Sequence, residues 1–475
     1  MSINLKKIIK NFFSVSMMRL ATAMLSFVLF TILARNWGAE MLGEFSTLFT
    51  YFMFILQLPL LGLHIVLARR VATEPDTISL QFTNALAIAM PVSLGLMLLI
   101  GGIGLNLYPE SMHNAFWLVG LSSLPMAFAV AAEAVLTGKE NMHVIAWVNI
   151  IETVLRVVIC LILVWMGYGV TALFLAFLGA KLLAVFIYWF RGGLKDEFEI
   201  NFFNLTEIIA YLRQSPMFFG ILILSVGIGR FDFIFLSLLA SMQDVGMYSP
   251  PFKIYEMGLM VPSVLTLVLF PVFSRMFTDS QKNFEQLYQT MFQVTFIFGL
   301  PLVLILALSA DWIVPLIFGS GYVAGSGVLQ ILAFAILFIA MDQVLTVVVL
   351  AAHRESLELK ILCVSFAVYL IMLLVLIHFM SFYGAALATL LTTLFKFILR
   401  YVWLYREMSL PSVLGVLFKP LIAGGLMLGC VVLLKPISGL FIALFCSFIF
   451  YWLILFLTKA VSAKQLQSLK QLMVR

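Results

Sequence analysis

An all-α polytopic membrane protein with about fourteen transmembrane helices is the fold class this sequence predicts, and three observations predict it. The 475 residues are 63% hydrophobic and only 11% charged, whereas a soluble domain runs nearer half apolar and a quarter charged. Uninterrupted apolar runs of about 20 residues recur from end to end, each long enough as a helix to cross roughly 30 Å of hydrocarbon. No alternation of the membrane-barrel kind occurs, and a backbone in lipid must then satisfy its polar groups within helices.

Taken in order, spans are expected near residues 12–34, 43–67, 82–106, 115–137, 144–166, 169–190, 216–239, 248–272, 287–309, 324–350, 358–378, 383–405, 413–434 and 437–457. The first follows a short basic N-terminus, as a signal peptide would. It runs on for about 20 residues without a small-x-small cleavage site and reads as an uncleaved helix. The longest polar segment, Arg191 to Ser215, separates the sixth span from the seventh. Within it Asn204 and Glu207 have capping-box spacing, opening a short amphipathic helix that Pro216 is expected to end. Four parts follow: an N-terminal lobe at 1–190, a cytoplasmic linker at 191–215, a second lobe at 216–405, and two additional spans with a basic tail at 406–475.

Loop charge sets the expected orientation. Alternate loops place Lys6, Arg69, Lys139, Arg191, Arg275, Arg354, Arg406 and Lys459 on one side with most other loop cations, against Arg35 and Lys435 on the other. The positive-inside bias therefore makes both termini cytoplasmic. The net charge of +6 reflects this topology and is no argument for nucleic acid.

The second half repeats the first. A shift of roughly 203 positions lays Leu33 on Leu236, Gly43 on Gly246, Ser46 on Ser249, Phe49 on Phe252 and Pro59 on Pro262; a shift of about 215 lays Tyr168 on Tyr383, Lys181 on Lys396 and Arg191 on Arg406. Six spans is an even number, so the two halves enter the membrane from the same side as a parallel repeat. A cavity between two such lobes is expected from that symmetry.

Charges inside the spans point to function, because an ionisable group at mid-bilayer costs roughly 2.5–3.5 kcal/mol and is kept only where it faces protein or a wet cavity. The basic residues are Arg19, Arg156, Lys181, Arg230, Lys253 and Lys396; the acids are Glu133, Glu152, Asp232, Glu256 and Asp342. Arg156, Lys181, Arg230 and Lys396 lie near the middle of their spans, whereas Arg19, Glu133 and Lys253 are close enough to an end to snorkel. Glu152 and Arg156, one turn apart, can neutralise each other, as can Lys253 and Glu256. The spans of Lys181 and Lys396 contain no acid. These equivalent lysines are expected to line a central cavity, the alternative being salt bridges to acids on neighbouring helices.

A cavity walled by cations selects anions, and guanidinium groups suit phosphate oxygens by bidentate hydrogen bonding. With no soluble binding domain, the phosphate-bearing cargo is expected to arrive along the membrane as a lipid. An inside-negative potential favours outward movement of two negative charges by about 4.6 kcal/mol per 100 mV. Glu152, Asp232, Glu256 and Asp342 are the candidates for ion coupling. Catalytic, cofactor and metal signatures are absent: there is no GxxxxGK[ST], no HExxH and no paired-cysteine site. Cys160, Cys363, Cys430 and Cys446 sit inside apolar spans and read as packing residues.

The segments Leu33 to Ser46, Arg230 to Ser249, Pro271 to Arg275 and Asp311 to Leu332 resemble polysaccharide exporters, more specifically the Wzx-type oligosaccharide flippases of the multidrug/oligosaccharidyl-lipid/polysaccharide (MOP) exporter superfamily. The resemblance covers roughly residues 10–405. It implies two six-helix lobes forming a V-shaped cavity, alternating access, and export of an undecaprenyl-diphosphate-linked oligosaccharide across a bacterial inner membrane for surface polysaccharide such as O-antigen or exopolysaccharide. The implied partners are that lipid-linked substrate, membrane lipids, and the polymerase and glycosyltransferases of the same pathway. Fourteen spans are also similar to the lipid II flippases, which keeps a peptidoglycan precursor open as cargo. A cation-coupled multidrug antiporter is the further alternative; members of that branch carry an acid in the first span, where this chain has Arg19. A membrane glycosyltransferase or polymerase would need a substantial outer loop rich in acids, and none is present.

Overall fold

Seventeen α-helices and no strand occur among the described residues of this chain, a computed structural model that describes residues 5–195, 197–198, 203–408 and 410–458. The basic tail expected at the C-terminal end lies outside them. The helices are α1 (Leu5–Asn36), α2 (Ala39–Ile55), α3 (His64–Thr73), α4 (Ile78–Leu107), α5 (Glu110–Leu121), α6 (Ser123–Gly138), α7 (Met142–Trp165), α8 (Val170–Arg191), α9 (Leu205–Leu239), α10 (Met242–Gly258), α11 (Met260–Asp279), α12 (Gln281–Leu308), α13 (Ala310–Phe318), α14 (Ser326–Ala351), α15 (Glu355–Glu407), α16 (Leu414–Ser438) and α17 (Leu440–Leu457). Eleven helices among the described residues are long and apolar enough to cross a membrane.

The difference from about fourteen has physical causes. The span expected at 43–67 is broken between Ile55 and His64, where Leu61 and Gly62 take positive φ values of 49° and 79° just after Pro59, whose ring removes a helical donor. The span expected at 248–272 is broken at Leu259, between α10 and α11. Leu259, the repeat counterpart of Leu56, keeps helical dihedrals of φ −68° and ψ −14°, so this interruption is milder than the one in the first half. Irregular backbone at membrane depth is tolerated only where protein or a cavity covers it, and at Gly62 the cover is α9: a Cβ there would sit 2.9 Å from the Phe218 backbone. The spans expected at 358–378 and 383–405 run together as α15, but Ser381 has φ 47° and ψ −126° inside it. The chain turns back there, bringing Gly384 so close to the Leu376 carbonyl that a Cβ would lie 2.0 Å from the oxygen.

Pro216 does not end a helix. Asn204 caps α9 by accepting from the Thr206 N–H at 3.0 Å, and the helix then runs 35 residues through the proline. Its first turns are pinned along their length. Arg70 on α3 donates to Glu207 at 2.7 Å and stacks over the Tyr211 ring at 4.3 Å; the Tyr211 hydroxyl donates to Gln81 on α4 at 2.5 Å. Burial pushes the Tyr211 hydroxyl up to about 12, so it stays a donor at neutral pH. Leu63, Val66, Ile88, Ile208 and Tyr211 form the apolar seam beneath. Just before α9, Glu197 accepts from Lys139 at 2.5 Å and from the Ser79 hydroxyl at 3.0 Å.

The chain divides into two compact units, Met1–Ser249 and Pro250–Arg475, the boundary falling inside α10 ahead of Pro250 and Pro251. In the first unit α1 lies along α7, α4 along α5 and α6, and α7 along α8. In the second, α14 is the central helix, packed on α11, α12 and α15, while α16 and α17 pair with one another and α16 returns to α12. Its core gathers Phe273, Phe284, Phe292, Leu337, Val344 and Tyr451 among many others.

One crossing in the first unit obeys the repeat. A Cβ on Gly43 of α2 would lie 1.9 Å from the Met242 carbonyl oxygen of α10, and a Cβ on Gly246 would lie 1.7 Å from the Ala39 carbonyl oxygen. Equivalent glycines thus face one another's helix reciprocally, backbone against backbone. At the same end the buried hydroxyls of Tyr51, Tyr108 and Ser237 form a chain, 3.2 Å and then 2.8 Å, that ties α2 to α9.

Candidate functional site: two buried charge clusters

In the first unit the polar residues of α7 recur on the face opposite its lipid-exposed Trp147, Ile151, Val154 and Val158. Glu152 is 4% exposed and receives two cations: Lys181 Nζ from α8 donates to Oε2 at 2.6 Å, and Arg156 Nη1, one turn along α7, reaches Oε1 at 3.5 Å. The Arg156 guanidinium also lies 4.9 Å from the centroid of Phe177, a cation–π contact. Phe177 belongs to an aromatic group with Phe45, Phe49 and Phe52 of α2 and Phe174 of α8. Further along the seam, Glu133 of α6 accepts from the Asn149 amide and the Tyr188 hydroxyl, each at 2.9 Å.

In the second unit Asp342 of α14 is 2% exposed and holds Lys396 Nζ at 3.1 Å. Arg400, one turn beyond Lys396 on α15, donates through Nη1 to the other Asp342 oxygen. Its Nη2 forks onto both oxygens of Glu358 at 2.7 and 3.0 Å. Arg400 is 1% exposed.

The remaining expected site residues are placed apart from these clusters. Lys253 and Glu256 of α10 pair at 2.6 Å. Asp232 of α9, 1% exposed, accepts from the Tyr248 hydroxyl at 2.6 Å and the Phe233 N–H at 2.9 Å. Arg230 lies 6.0 Å from the Phe233 ring centroid, and Arg19 is exposed on α1.

Lys181 and Lys396 therefore do not stand unpaired. Each bridges to an acid on a neighbouring helix, and the equivalent lysines draw those acids from non-equivalent ones, α7 in the first unit and α14 in the second. A buried lysine needs a carboxylate, but which helix supplies it depends on packing. Arg400 and Glu358 were missed because hydropathy put them at span ends, where cations read as interfacial. The usable signal was spacing: Lys396 and Arg400 are four apart and share one helical face.

Two compact helical units threaded by long apolar helices, with ion pairs buried inside each, define a multi-pass membrane protein. A family profile described as polysaccharide biosynthesis protein matches residues 8–277, more than half of the chain, and the chain belongs to that family. The succinoglycan biosynthesis transport protein ExoT of Rhizobium meliloti (strain 1021) is 24% identical over 338 residues, covering 70% of this chain and 67% of that protein. Among solved structures, the lipid II flippase MurJ in an inward closed conformation is similar with a TM-score of 0.77 at 14% identity, over 95% of this chain and 99% of that one. An inward-facing multidrug resistance MATE family transporter of the MOP superfamily gives 0.70 at 14% identity, over 82% and 94%. These likenesses assign the fold, that of the MOP superfamily expected from the sequence.

Proposed function

We propose that this chain flips a lipid-linked oligosaccharide, its lipid an undecaprenyl diphosphate, from the cytoplasmic to the periplasmic face of a bacterial inner membrane, with both termini cytoplasmic. Residues 1–190 and 216–405 serve as the two lobes of an alternating-access cycle. The observation that carries the reading is the recurrence of buried cations, Arg156 with Lys181 and Lys396 with Arg400, inside membrane helices of a polysaccharide-synthesis family. Cations at that depth are costly, and a diphosphate crossing the hydrocarbon region is the kind of cargo that requires them. Arg19, Arg230 and Lys253 would extend the cationic path. Asp232, whose hydrogen bonds come from a hydroxyl and a backbone N–H, is the acid best suited to exchange a coupling ion.

An antiporter of organic cations would need an acid open to a cationic cargo. Glu152, Glu256 and Asp342 each already hold a base of the chain itself, which leaves Asp232 as the acid such an antiporter would have to use. Replacing Lys181 and Lys396 together by alanine should abolish surface-polysaccharide assembly, with the protein's membrane level measured alongside because each change also leaves a buried carboxylate short of a base; unchanged polymer in that strain refutes the reading.

A further inference from the structure

The two clusters differ in how their bases are paired, in a way that assigns them different work. In the second unit, two carboxylates, Asp342 and Glu358, serve two bases, Lys396 and Arg400, and the set is neutral. In the first, one carboxylate, Glu152, serves both Lys181 and Arg156. The next acid along, Glu133, is taken up by Asn149 and Tyr188 and forms no ion pair among the described residues. Neutral donors leave Glu133 its charge, so the surplus lies in the ion pairs themselves, where Glu152 alone serves two bases.

The surplus falls on Arg156. Lys181 holds the close, 2.6 Å bond to Glu152, whereas Arg156 has a 3.5 Å contact from Nη1, and its Nε is buried with no hydrogen-bond partner. The Arg400 Nε is also bare, but both Nη atoms of that residue are committed to carboxylates and its side chain is 1% exposed. Arg156 keeps 14% of its side chain exposed. A guanidinium whose Nε edge is unfilled is half of a bidentate site for a tetrahedral oxyanion.

We infer that Arg156, with Lys181 behind it, is the seat for the phosphate of the lipid headgroup, and that Glu152 is a built-in counter-anion which that phosphate displaces. The second-unit tetrad, already neutral, is a lock with no vacant seat. Glu152 keeps the two bases paired while the site is empty, which a buried cation requires. An arriving phosphate takes over the Arg156 fork and leaves Glu152 to Lys181. This assignment rests on the flippase reading and sharpens it by naming where the headgroup sits.

The test is binding of farnesyl diphosphate to the purified full-length chain in detergent micelles by titration calorimetry, with farnesol and inorganic pyrophosphate as separate ligands. Arg156→Gln should weaken farnesyl diphosphate by about tenfold or more, and Glu152→Gln, which removes the competing anion, should tighten it by about tenfold. A folding defect cannot produce tighter binding, so the second variant keeps the test decisive. Pyrophosphate binding as tightly as farnesyl diphosphate overturns the headgroup assignment in favour of a free phosphate. If both variants stay within about twofold of the parent, or if Glu358→Gln rather than Glu152→Gln tightens binding, the first-unit seat is overturned while the phosphate-cargo reading stands. If the parent chain binds farnesyl diphosphate no better than farnesol, the phosphate-cargo reading falls too.

Discussion

Asp342→Ala is expected to lower the stability of the purified protein by about 3–5 kcal/mol, the cost of removing one partner from a buried ion pair. The reason is arithmetic within the cluster: Lys396 and Arg400 both lean on Asp342, and without it Glu358 alone faces two buried cations. Charge and packing can be separated by a cycle. Asp342→Ala combined with Lys396→Leu removes one charge of each sign and fills the space with apolar volume, so much of the loss should return. Unfolding followed in detergent checks both variants. A single variant within about 1 kcal/mol of the parent would mean that the tetrad contributes little.

Gly246→Val should be nearly as damaging and for an unrelated reason. Overpacking an interior usually costs about 1–3 kcal/mol because side chains and backbone can yield. Here the first added carbon would sit 1.7 Å from the Ala39 carbonyl oxygen, so whole helices must separate. Gly43→Val should behave alike, meeting the Met242 carbonyl at 1.9 Å. The double variant should cost less than the two singles added, since one separation of α2 from α10 relieves both clashes. Gly425→Val on α16, with nothing within 4 Å of its Cβ position, is the control and should be tolerated. Thermal melts of the four proteins test this, and parent-like behaviour of Gly246→Val would show that the crossing opens at little cost.

If that crossing also closes one end of the transport path, Gly246→Val would trap a state open at that end, and cysteine-accessibility labelling near Trp37 and Ala240 would rise. The Tyr51–Tyr108–Ser237 hydroxyl chain lies at the same end and would be broken by the same movement.

Much of this molecule was legible in its residues. Apolar run length sufficed for α4, α7, α8, α12 and α14, because hydrophobicity over a span is a local sum. The glycine crossing was foreshadowed when Gly43 fell on Gly246 in the repeat, although nothing local told that the two would meet each other's helix. The breaks after Ile55 and Gly258 were hidden, since Leu-Pro-Leu-Leu-Gly-Leu at 58–63 is as hydrophobic as a helix and its irregularity depends on Phe218 arriving from α9. Pro216 misled in the opposite sense. A proline removes one hydrogen bond, but ion pairs and apolar contacts pin the turns before it.

The sequence by itself determined that this chain is a helical membrane protein with a doubled plan and cations at depth, because each property is read along the chain from composition, periodicity and spacing. Only the tertiary structure decided which acid meets which base. Glu152 and Lys181 are 29 residues apart, Asp342 and Arg400 are 58 apart, and equivalent lysines chose acids from non-equivalent helices. Ion pairing inside a membrane is settled by which side chains the packed helices bring within about 3 Å. That proximity is a property of the folded bundle and has no local signature.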